Sequence, residues 1–188
     1  MNPIAYEPSR IERPALVLDS VPSAWSGIES ILADLVGRFC KQHKSALEFG
    51  VEHGYSMVAL SNFFDSMIGV DTFLGDQHTG THPSIFEEVR DRLHPYGNIK
   101  LFANSWQEWT ELNPGGSYDL VHIDIEHTWE QTFPCGVWAA RHALVVIFHD
   151  TRSFPDVFRA CEDIAAQEKM DFYNWEENYG LGILVARG

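Results

Sequence analysis

Short apolar runs recur along this chain, and stretches with helical periodicity separate them. The runs are SALEFG from residue 45, SMIGVD from 66, NIKLFAN from 98, GGSYDLVHID from 115 and ALVVIFHD from 143. Strands that alternate with helices pair in parallel, are covered by helices on both faces and have right-handed crossovers. The pattern therefore predicts an α/β fold, and in such sheets ligands bind at the carboxyl ends of the strands.

The two ends of the chain depart from this alternation. Residues 1–22 are predicted to be an irregular lead-in, because prolines and mixed charges are frequent there. From Ser23 to about His43, apolar residues recur at steps of three and four, which predicts an amphipathic helix capped by Ser23. Residues 170–188 hold two apolar runs with no helix between them, so the last strand is expected to run antiparallel. Residues 23–188 are predicted to be a single domain, which suits the length of the chain.

Charge and composition exclude several classes of partner. The chain has 27 acidic and 13 basic residues and a net charge of −14, which nucleic acid or an anionic membrane surface repels on average. No apolar stretch approaches the ~18 residues of a membrane span, and the N-terminus lacks the apolar core of a secretory signal. The three cysteines are odd in number and widely spaced, which is typical of reduced thiols. We therefore expect a cytoplasmic protein without a nucleic-acid or membrane partner.

The first apolar run ends in the stretch LEFGVEHGYS, residues 47–56. In this stretch two glycines follow a carboxylate. Glycine lets the backbone turn tightly and approach a ligand closely, because it has no Cβ. The pattern is Glu48-x-Gly50-x-x-x-Gly54, not the G-x-G-x-x-G whose helix N-terminus takes a pyrophosphate, which argues against a dinucleotide. An ordinary strand-to-helix turn is the alternative.

Asp71 ends the second apolar run, 21 residues beyond Gly50. A carboxylate at this place can accept hydrogen bonds from both ribose hydroxyls of a nucleoside. A glycine turn, a ribose-reading acid and no phosphate motif indicate a nucleoside without an essential phosphate, and S-adenosylmethionine fits that description. The alternative for Asp71 is a strand-ending cap.

Ionisable residues crowd the turn after the fourth run. HIDIEHTWEQ places Asp124, Glu126 and His127 together, and Thr128 with Gln131 predicts a capping box that opens the next helix. Three ionisable groups in so short a turn are costly to hold together unless a metal, a proton or a substrate uses them.

The fifth run ends in a second such group, His149 and Asp150. If the fourth and fifth strands are neighbours, Asp124, His149 and Asp150 converge on a mixed oxygen and nitrogen set that suits Mg²⁺, Mn²⁺ or another divalent ion. A carboxylate-histidine hydrogen-bond network without metal is the alternative.

The loop DTFLGDQHTGTHPS, residues 71–84, has no periodicity and is long enough to indicate a function. It carries Asp76, His78 and His82 over the same end of the sheet, with glycines at both ends of the polar set. We predict a lid in which His78 contacts the acceptor. The alternative is a solvated loop with incidental histidines.

Taken in order, EFGVEHGYS, VDTFLGDQHTG, LVHIDIEHTWE, VIFHDT and GLGILVARG resemble the class I S-adenosylmethionine-dependent methyltransferases of the Methyltransf_24 type, relatives of sugar and natural-product O-methyltransferases. The resemblance covers residues 45–188. It implies a Rossmann-like three-layer sandwich with a seven-stranded, mostly parallel sheet in the order 3-2-1-4-5-7-6, the last strand antiparallel.

The resemblance also assigns roles to residues of this chain. Glu48, Gly50 and Gly54 would line the methionine end of S-adenosylmethionine, Asp71 would take the ribose, and the adenine would lie near residues 104–106. In metal-using relatives the acids after the fourth and fifth strands bind Mg²⁺, which here gives Asp124, His149 and Asp150. The full cofactor-binding set is Glu48, Gly50, Gly54, Tyr55, Ser56, Asp71, Thr72, Asn104, Ser105, Trp106 and Asp124.

The expected reaction is methyl transfer to a hydroxyl of a small-molecule or sugar acceptor, assisted by a divalent ion that lowers the pKa of that hydroxyl. Asp124, His127, His149 and His78 are the candidate catalytic residues, with His127 as base, or His149 if it is not a ligand.

Two other functions remain open. A non-catalytic S-adenosylmethionine-binding module would explain why Ile125 stands where the family has a small residue. A metal-dependent hydrolase would use the same acids and histidines without the cofactor. The apolar N-terminal helix also offers a surface for a homo-oligomer.

Overall fold

The computed structural model describes residues 2–76 and 80–187, in which eight strands alternate with six α-helices. The strands are β1 (Ile4–Ala5), β2 (Ser45–Phe49), β3 (Ser66–Asp71), β4 (Ile99–Ala103), β5 (Tyr118–Ile123), β6 (Ala143–His149), β7 (Met170–Trp175) and β8 (Leu181–Ala186). The helices are α1 (Leu32–Phe39), α2 (Tyr55–Ser61), α3 (Phe86–Leu93), α4 (Trp106–Leu112), α5 (Trp129–His142) and α6 (Pro155–Glu168). None of these helices combines the length and the apolar character that crossing a bilayer requires.

The strands form one mixed sheet in the order β1-β7-β8-β6-β5-β2-β3-β4. The last strand, β8, pairs antiparallel with both β6 and β7, and the other neighbours pair in parallel. The sheet therefore departs from the predicted seven strands. The difference arises because Ile4–Ala5, in the segment predicted to be irregular, pairs with β7 and adds a strand at one edge.

Two hydrophobic cores lie on opposite faces of this sheet. Alternate residues of β6 show the division, because Val145 and Ile147 belong to the first core and Val146 and Phe148 to the second. Helices α1, α2 and α3 pack on the first face, and α4, α5 and α6 pack on the second. The layers are thus helix, sheet and helix, as the alternation of strands and helices predicted.

The first helix is shorter than predicted. A 3-10 turn at Ile28–Ile31 leads into α1, which ends at Phe39, so the expected helix from Ser23 to His43 covers both but overruns them. Gly27 explains the late start, because its φ of 104° lies outside the helical region. Ser23 accepts a hydrogen bond from the Trp25 amide at 3.1 Å and closes a turn before the helix, rather than capping it.

Helix α4 follows β4 in a stretch where the sequence analysis assigned no element. Its N-cap is Ser105, whose hydroxyl accepts from the Glu108 amide at 3.2 Å, while the Glu108 carboxylate accepts from the Ser105 amide at 2.8 Å. This capping box satisfies two amides at the helix start. The capping box predicted from Thr128 and Gln131 is absent, since Thr128 makes no side-chain cap bond and Gln131 accepts from the Trp106 indole at 3.0 Å instead.

The centre of the sheet is closed at its carboxyl edge by the backbone of Gly50. The Gly50 amide donates to Val70 of β3 at 3.0 Å, and the Asp124 amide donates to Phe49 of β2 at 2.9 Å. Gly50 has a φ of 85°, and a Cβ built on it would overlap the carbonyl oxygen of Asp124. Only glycine therefore allows the strand ends of β2 and β5 to approach this closely.

We expect the Gly50→Ala substitution to lower the free energy of unfolding by about 2–4 kcal/mol, because it adds left-handed strain and a backbone clash. Denaturant unfolding measures the change. Gly37→Ala is the matched control, since Gly37 lies in α1 with nothing within 4 Å of an added Cβ, and it should be neutral or stabilise by up to about 1 kcal/mol. Equal effects of the two substitutions would contradict the role given to Gly50.

Candidate functional site

A cavity of about 880 Å³ opens at the carboxyl ends of the strands, the edge at which α/β sheets bind ligands. The ends of β2, β3, β4, β5 and β6 contribute to its wall, together with the segment before the 3-10 turn, the loop after β3 and the β7–β8 connection. Of the predicted cofactor-binding residues, the following line it: Gly50, Tyr55, Ser56, Asp71, Thr72, Asn104, Ser105, Trp106 and Asp124.

Three of the six non-glycine residues that adopt a positive φ in the described part of the chain line this cavity. Glu52, Asp150 and Tyr179 line it and adopt φ angles of 49°, 67° and 70°, in the left-handed region that side chains with a Cβ rarely adopt. Such conformations cost of order 1 kcal/mol or more each, and they persist where the surrounding structure holds them. Their grouping at one cavity supports its assignment as the functional site.

Asp71 lies at the tip of β3 and organises the glycine turn. Its Oδ2 accepts hydrogen bonds from the amides of Val51 and Glu52 at 2.8 and 2.9 Å, and its Oδ1 accepts from the Phe73 amide at 2.6 Å. Asp71 lines the cavity, as its predicted contact with ribose requires. The contacts also fit the alternative interpretation as a cap, because the carboxylate holds two turns in place.

Glu48 and Gly54 do not line the cavity. Glu48 is fully buried beneath it, accepts a hydrogen bond from the Ser56 hydroxyl at 2.6 Å and lies 3.2 Å from Nδ1 of the buried His122. Burial raises the pKa of Glu48, although His122 and Ser56 oppose that shift. Its contacts hold Ser56, which does line the cavity. Gly54 is the N-cap of α2 at φ 90°.

The wall at the end of β4 is formed by residues 104–106. The Asn104 amide donates to the Asp71 carbonyl at 3.0 Å, which joins this wall to the tip of β3. The indole of Trp106 donates to Gln131 of α5 at 3.0 Å, so its ring is fixed in position. This end of the cavity is where the resemblance expected the adenine.

Four side chains meet at the ends of β5 and β6 and are here called the Asp-His quartet: Asp124, His127, His149 and Asp150. His127 Nε2 lies 3.0 Å from Asp150 Oδ2 and 3.4 Å from Asp124 Oδ1. His149 Nδ1 lies 3.2 Å from Asp124 Oδ2 and 3.3 Å from Asp150 Oδ2. The ring of His127 also stacks on Phe154 at 4.1 Å. The quartet therefore alternates carboxylates and imidazoles around one point of the cavity. The sequence predicted this convergence for three of the four, Asp124, His149 and Asp150.

Burial and the contacts within the quartet shift the pKa values of its side chains in opposite directions. Burial lowers the pKa of His127, but hydrogen bonds to Asp124 and Asp150 outweigh it and raise that pKa to about 9. Burial likewise lowers the pKa of His149, and Asp124 outweighs it, so the net shift is upward. Burial raises the pKa of Asp124, yet the two histidines hold it below its usual range. Each pair of shifts favours the charged carboxylate and imidazolium.

A divalent ion fits part of this quartet. Ligand atoms of Asp124, His127 and Asp150 lie within 4.8 Å of one another, and two carboxylates with an imidazole are a set that such ions accept. The predicted metal set, Asp124, His149 and Asp150, differs from this one by one histidine. His149 contacts both carboxylates through Nδ1, while its Nε2 is buried without a hydrogen-bond partner among the described residues.

Several residues that line the cavity were not predicted as site residues. Trp25 packs edge-on to His122 at 4.9 Å between ring centroids, and Tyr179 reaches the cavity from the β7–β8 connection. Glu52, His53 and Gln131 line it as well. No sequence motif marks Trp25 or Tyr179, because each arrives from a segment distant in the chain. His78, the predicted acceptor contact, lies outside the described residues.

The architecture and the turn place the chain in a class of folds. A mostly parallel sheet, a glycine turn without a phosphate motif and an acid at the next strand tip are typical of Rossmann-like domains. Residues 47–151 match the family model Methyltransf_24, described as a methyltransferase domain, and the chain belongs to this family. The resemblance seen in the sequence is thereby confirmed. Among curated protein sequences, none matches the chain.

Solved structures share the fold. One assigned as a caffeoyl-CoA O-methyltransferase from Staphylococcus aureus has a TM-score of 0.65 and 15% identity, over 90% of this chain and 87% of that chain. An amino pentose methyltransferase from Micromonospora echinaspora, solved with S-adenosylmethionine bound, has a TM-score of 0.65 and 11% identity, over 88% and 92%. Aeropyrum pernix fibrillarin, with natively bound S-adenosylmethionine, has a TM-score of 0.55 and 12% identity, over 77% and 67%. At these identities the likeness concerns the fold.

The shifted pKa of His127 predicts a pH dependence in protein kept free of metal by a chelator. The pKa of His127 in the folded protein is raised above the ordinary value of about 6.5. The contribution of the protonated His127 to the stability of the folded protein is therefore fully present below pH ~6.5 and is lost as the pH rises through about 9. NMR titration of the His127 ring should give a midpoint near 9, and unfolding free energy should fall across this range by on the order of 2 kcal/mol.

The His127→Gln substitution should remove most of that fall. His142→Gln is the matched control, because the ring nitrogens of His142 contact the carbonyls of Trp138 and Pro114 at 2.6 and 3.1 Å rather than a carboxylate. A His127 midpoint at the value of a free imidazole would contradict the geometry of the quartet.

Proposed function

We propose that the chain is an S-adenosylmethionine-dependent methyltransferase that methylates a hydroxyl group of a small molecule or sugar. The observation that carries the proposal is that a single cavity joins the glycine turn and Asp71 at one end to the Asp-His quartet at the other. Family membership supports the cofactor, and the two solved structures with bound S-adenosylmethionine share the fold.

The half of the cavity over β2, β3 and β4 is proposed to hold the cofactor. Without a Cβ, Gly50 lets the backbone of the turn come close to a ligand, while the amides of the turn stay bonded within the protein. Asp71 accepts from a ribose hydroxyl at the lone-pair site of Oδ1 that the Phe73 amide leaves, and Asn104 to Trp106 flank the adenine. S-adenosylmethionine held there would supply an electrophilic methyl group on its sulfonium, so that transfer to the acceptor oxygen would release the hydroxyl proton and leave a neutral thioether.

The half over β5 and β6 is proposed to align the acceptor and to take its proton. Asp124, His127 and Asp150 are the residues that would hold a divalent ion, which supplies a lower pKa to a hydroxyl beside it. His149, which lines the cavity and is oriented by Asp124 at 3.2 Å from its Nδ1, is then the proposed base, because His127 would be a ligand. If His149 is instead the ligand and His127 the base, the His149→Gln variant should lose the metal and the His127→Gln variant should keep it.

The cofactor claim is tested by calorimetric titration of S-adenosylmethionine into the purified protein. We expect binding to weaken at least about tenfold in Asp71→Ala, because the substitution removes a ribose hydrogen bond worth roughly 1.5–3 kcal/mol and also the acceptor of three backbone amides that shape the turn. Asp65→Ala is the control, since Asp65 lies at the other end of β3 and pairs with Lys44 on the surface. Circular dichroism shows whether each variant is folded. Absence of binding by the unaltered protein would overturn the proposed function.

The assignment of ligand and base is tested by measuring Mn²⁺ binding in His127→Gln and His149→Gln. We expect His127→Gln to weaken binding at least about tenfold, because it removes one ligand, and His149→Gln to keep it. With an acceptor in hand, His149→Gln should lower kcat by about 10²-fold or more. Loss of the ion in His149→Gln alone would reverse the two roles, and unchanged turnover after chelation would remove the ion from the mechanism.

A further inference from the structure

Acidic groups dominate the charged part of the cavity wall. Among the described residues six carboxylates line the cavity, namely Glu52, Asp71, Asp76, Asp124, Glu126 and Asp150, and no Lys or Arg does. Residues 77–79 lie outside the described part and are Gln, His and Thr, so they add no Lys or Arg. The wall therefore offers an anionic ligand no guanidinium or ammonium partner.

Part of this negative charge is balanced within the protein, and part is not. Asp124 and Asp150 face the imidazoles of His127 and His149. Glu126 is partly exposed at the same turn, and no Lys or Arg of the described residues forms an ion pair with it. The acceptor half therefore keeps a surplus of negative charge whether imidazolium or a divalent ion balances the quartet.

Tyr179 adds an aromatic surface to this half of the cavity. Its side chain is among the exposed large hydrophobic groups at 55%, and its ring lies edge-on to His149 at 6.3 Å between centroids. Its carbonyl accepts from the amides of Arg152 and Ser153 at 2.9 and 3.2 Å, which ties it to the turn after Asp150. The face of an aromatic ring attracts cations and packs on flat or sugar rings, and its negative quadrupole repels an anion.

Resting on the proposed function, we infer that the acceptor carries no phosphate, carboxylate or CoA group, and that a protonated amine on the acceptor strengthens its binding. The negative charge of Glu126 and the ring face of Tyr179 together select the acceptor by its charge. A cationic group gains attraction at this wall, a neutral one is tolerated, and an anionic one is repelled.

The test uses three catechols of one ring size that differ in side-chain charge: dopamine, 4-ethylcatechol and 3,4-dihydroxyphenylacetate. Each is titrated at low salt into protein saturated with S-adenosylhomocysteine, and binding is followed by NMR. We expect dopamine to bind at least about tenfold more tightly than the anionic catechol, with the neutral one between, and the ratio to shrink as salt screens the charges. Equal or tighter binding of the anionic catechol overturns the inference.

Two variants identify the source of the selectivity. Glu126→Gln should reduce the ratio of dopamine to 4-ethylcatechol affinity by about threefold or more, because it removes one charge from the wall. Glu130→Gln is the matched control, since Glu130 is exposed on the first turn of α5 and does not line the cavity. An equal change in the two variants would mean that net charge, not the wall, sets the preference, and would count against the inference.

A second measurement needs no bound catechol and no cofactor. Cationic aminomethyl and anionic carboxy nitroxides report local charge by the relaxation they cause in nearby ring protons. We expect the ratio of cationic to anionic relaxation to be higher at Tyr179 than at Phe63, which lines a second cleft of about 450 Å³ with two arginines, Arg10 and Arg13, and one acid, Glu12. A ratio at Tyr179 equal to or below that at Phe63 overturns the inference. Failure of S-adenosylmethionine to bind would instead overturn the proposed function and leave this ratio measurable.

Discussion

The backbone contact between Gly50 and Asp124 is the constraint on which the rest of the site depends. The chain leaves the sheet at Gly50, after the end of β2, and a Cβ on this residue would overlap the carbonyl of Asp124. The same contact sets the start of the glycine turn on one side and the position of the first quartet carboxylate on the other. One half of the cavity is proposed for a nucleoside and the other for an acceptor. The two halves are adjacent because the ends of β2 and β5 contact each other.

Two carboxylates, the half-buried Asp71 and the buried Glu48, hold the floor and the walls around that contact. Asp71 ties the glycine turn to the end of β3 through three backbone amides, and Glu48 anchors Ser56 from below. Both residues carry charge-assisted or buried hydrogen bonds, which are worth more than exposed ones. These contacts organise the site without a ligand, which reduces the loss of conformational entropy on binding.

Much of this architecture could be predicted from the sequence, because it follows from periodicity and turn chemistry. Apolar runs located β2 to β8, and the acids at strand ends located the site. What escaped prediction has local causes. Helix α4 was missed although Ser105 and Glu108 form a capping box, β1 is only two residues long, and the N-terminal helix begins late because Gly27 has a positive φ. Contacts between distant segments, such as those that bring Trp25 and Tyr179 to the cavity, leave no pattern along the chain. Both His127 and His149 contact the two carboxylates, and side-chain geometry alone places the ligand atoms of His127 in the candidate metal set.

A crystal structure of the protein with S-adenosylhomocysteine tests the central claim most directly, because it shows which residues the ligand contacts. We expect density in the cavity of about 880 Å³, with the amino-acid end beside the Gly50 turn, the ribose on Asp71 and the adenine beside Asn104 to Trp106. The thioether sulfur should then face the Asp-His quartet across open space for an acceptor. Density elsewhere on the protein, or a sulfur that points away from the quartet, would contradict the account.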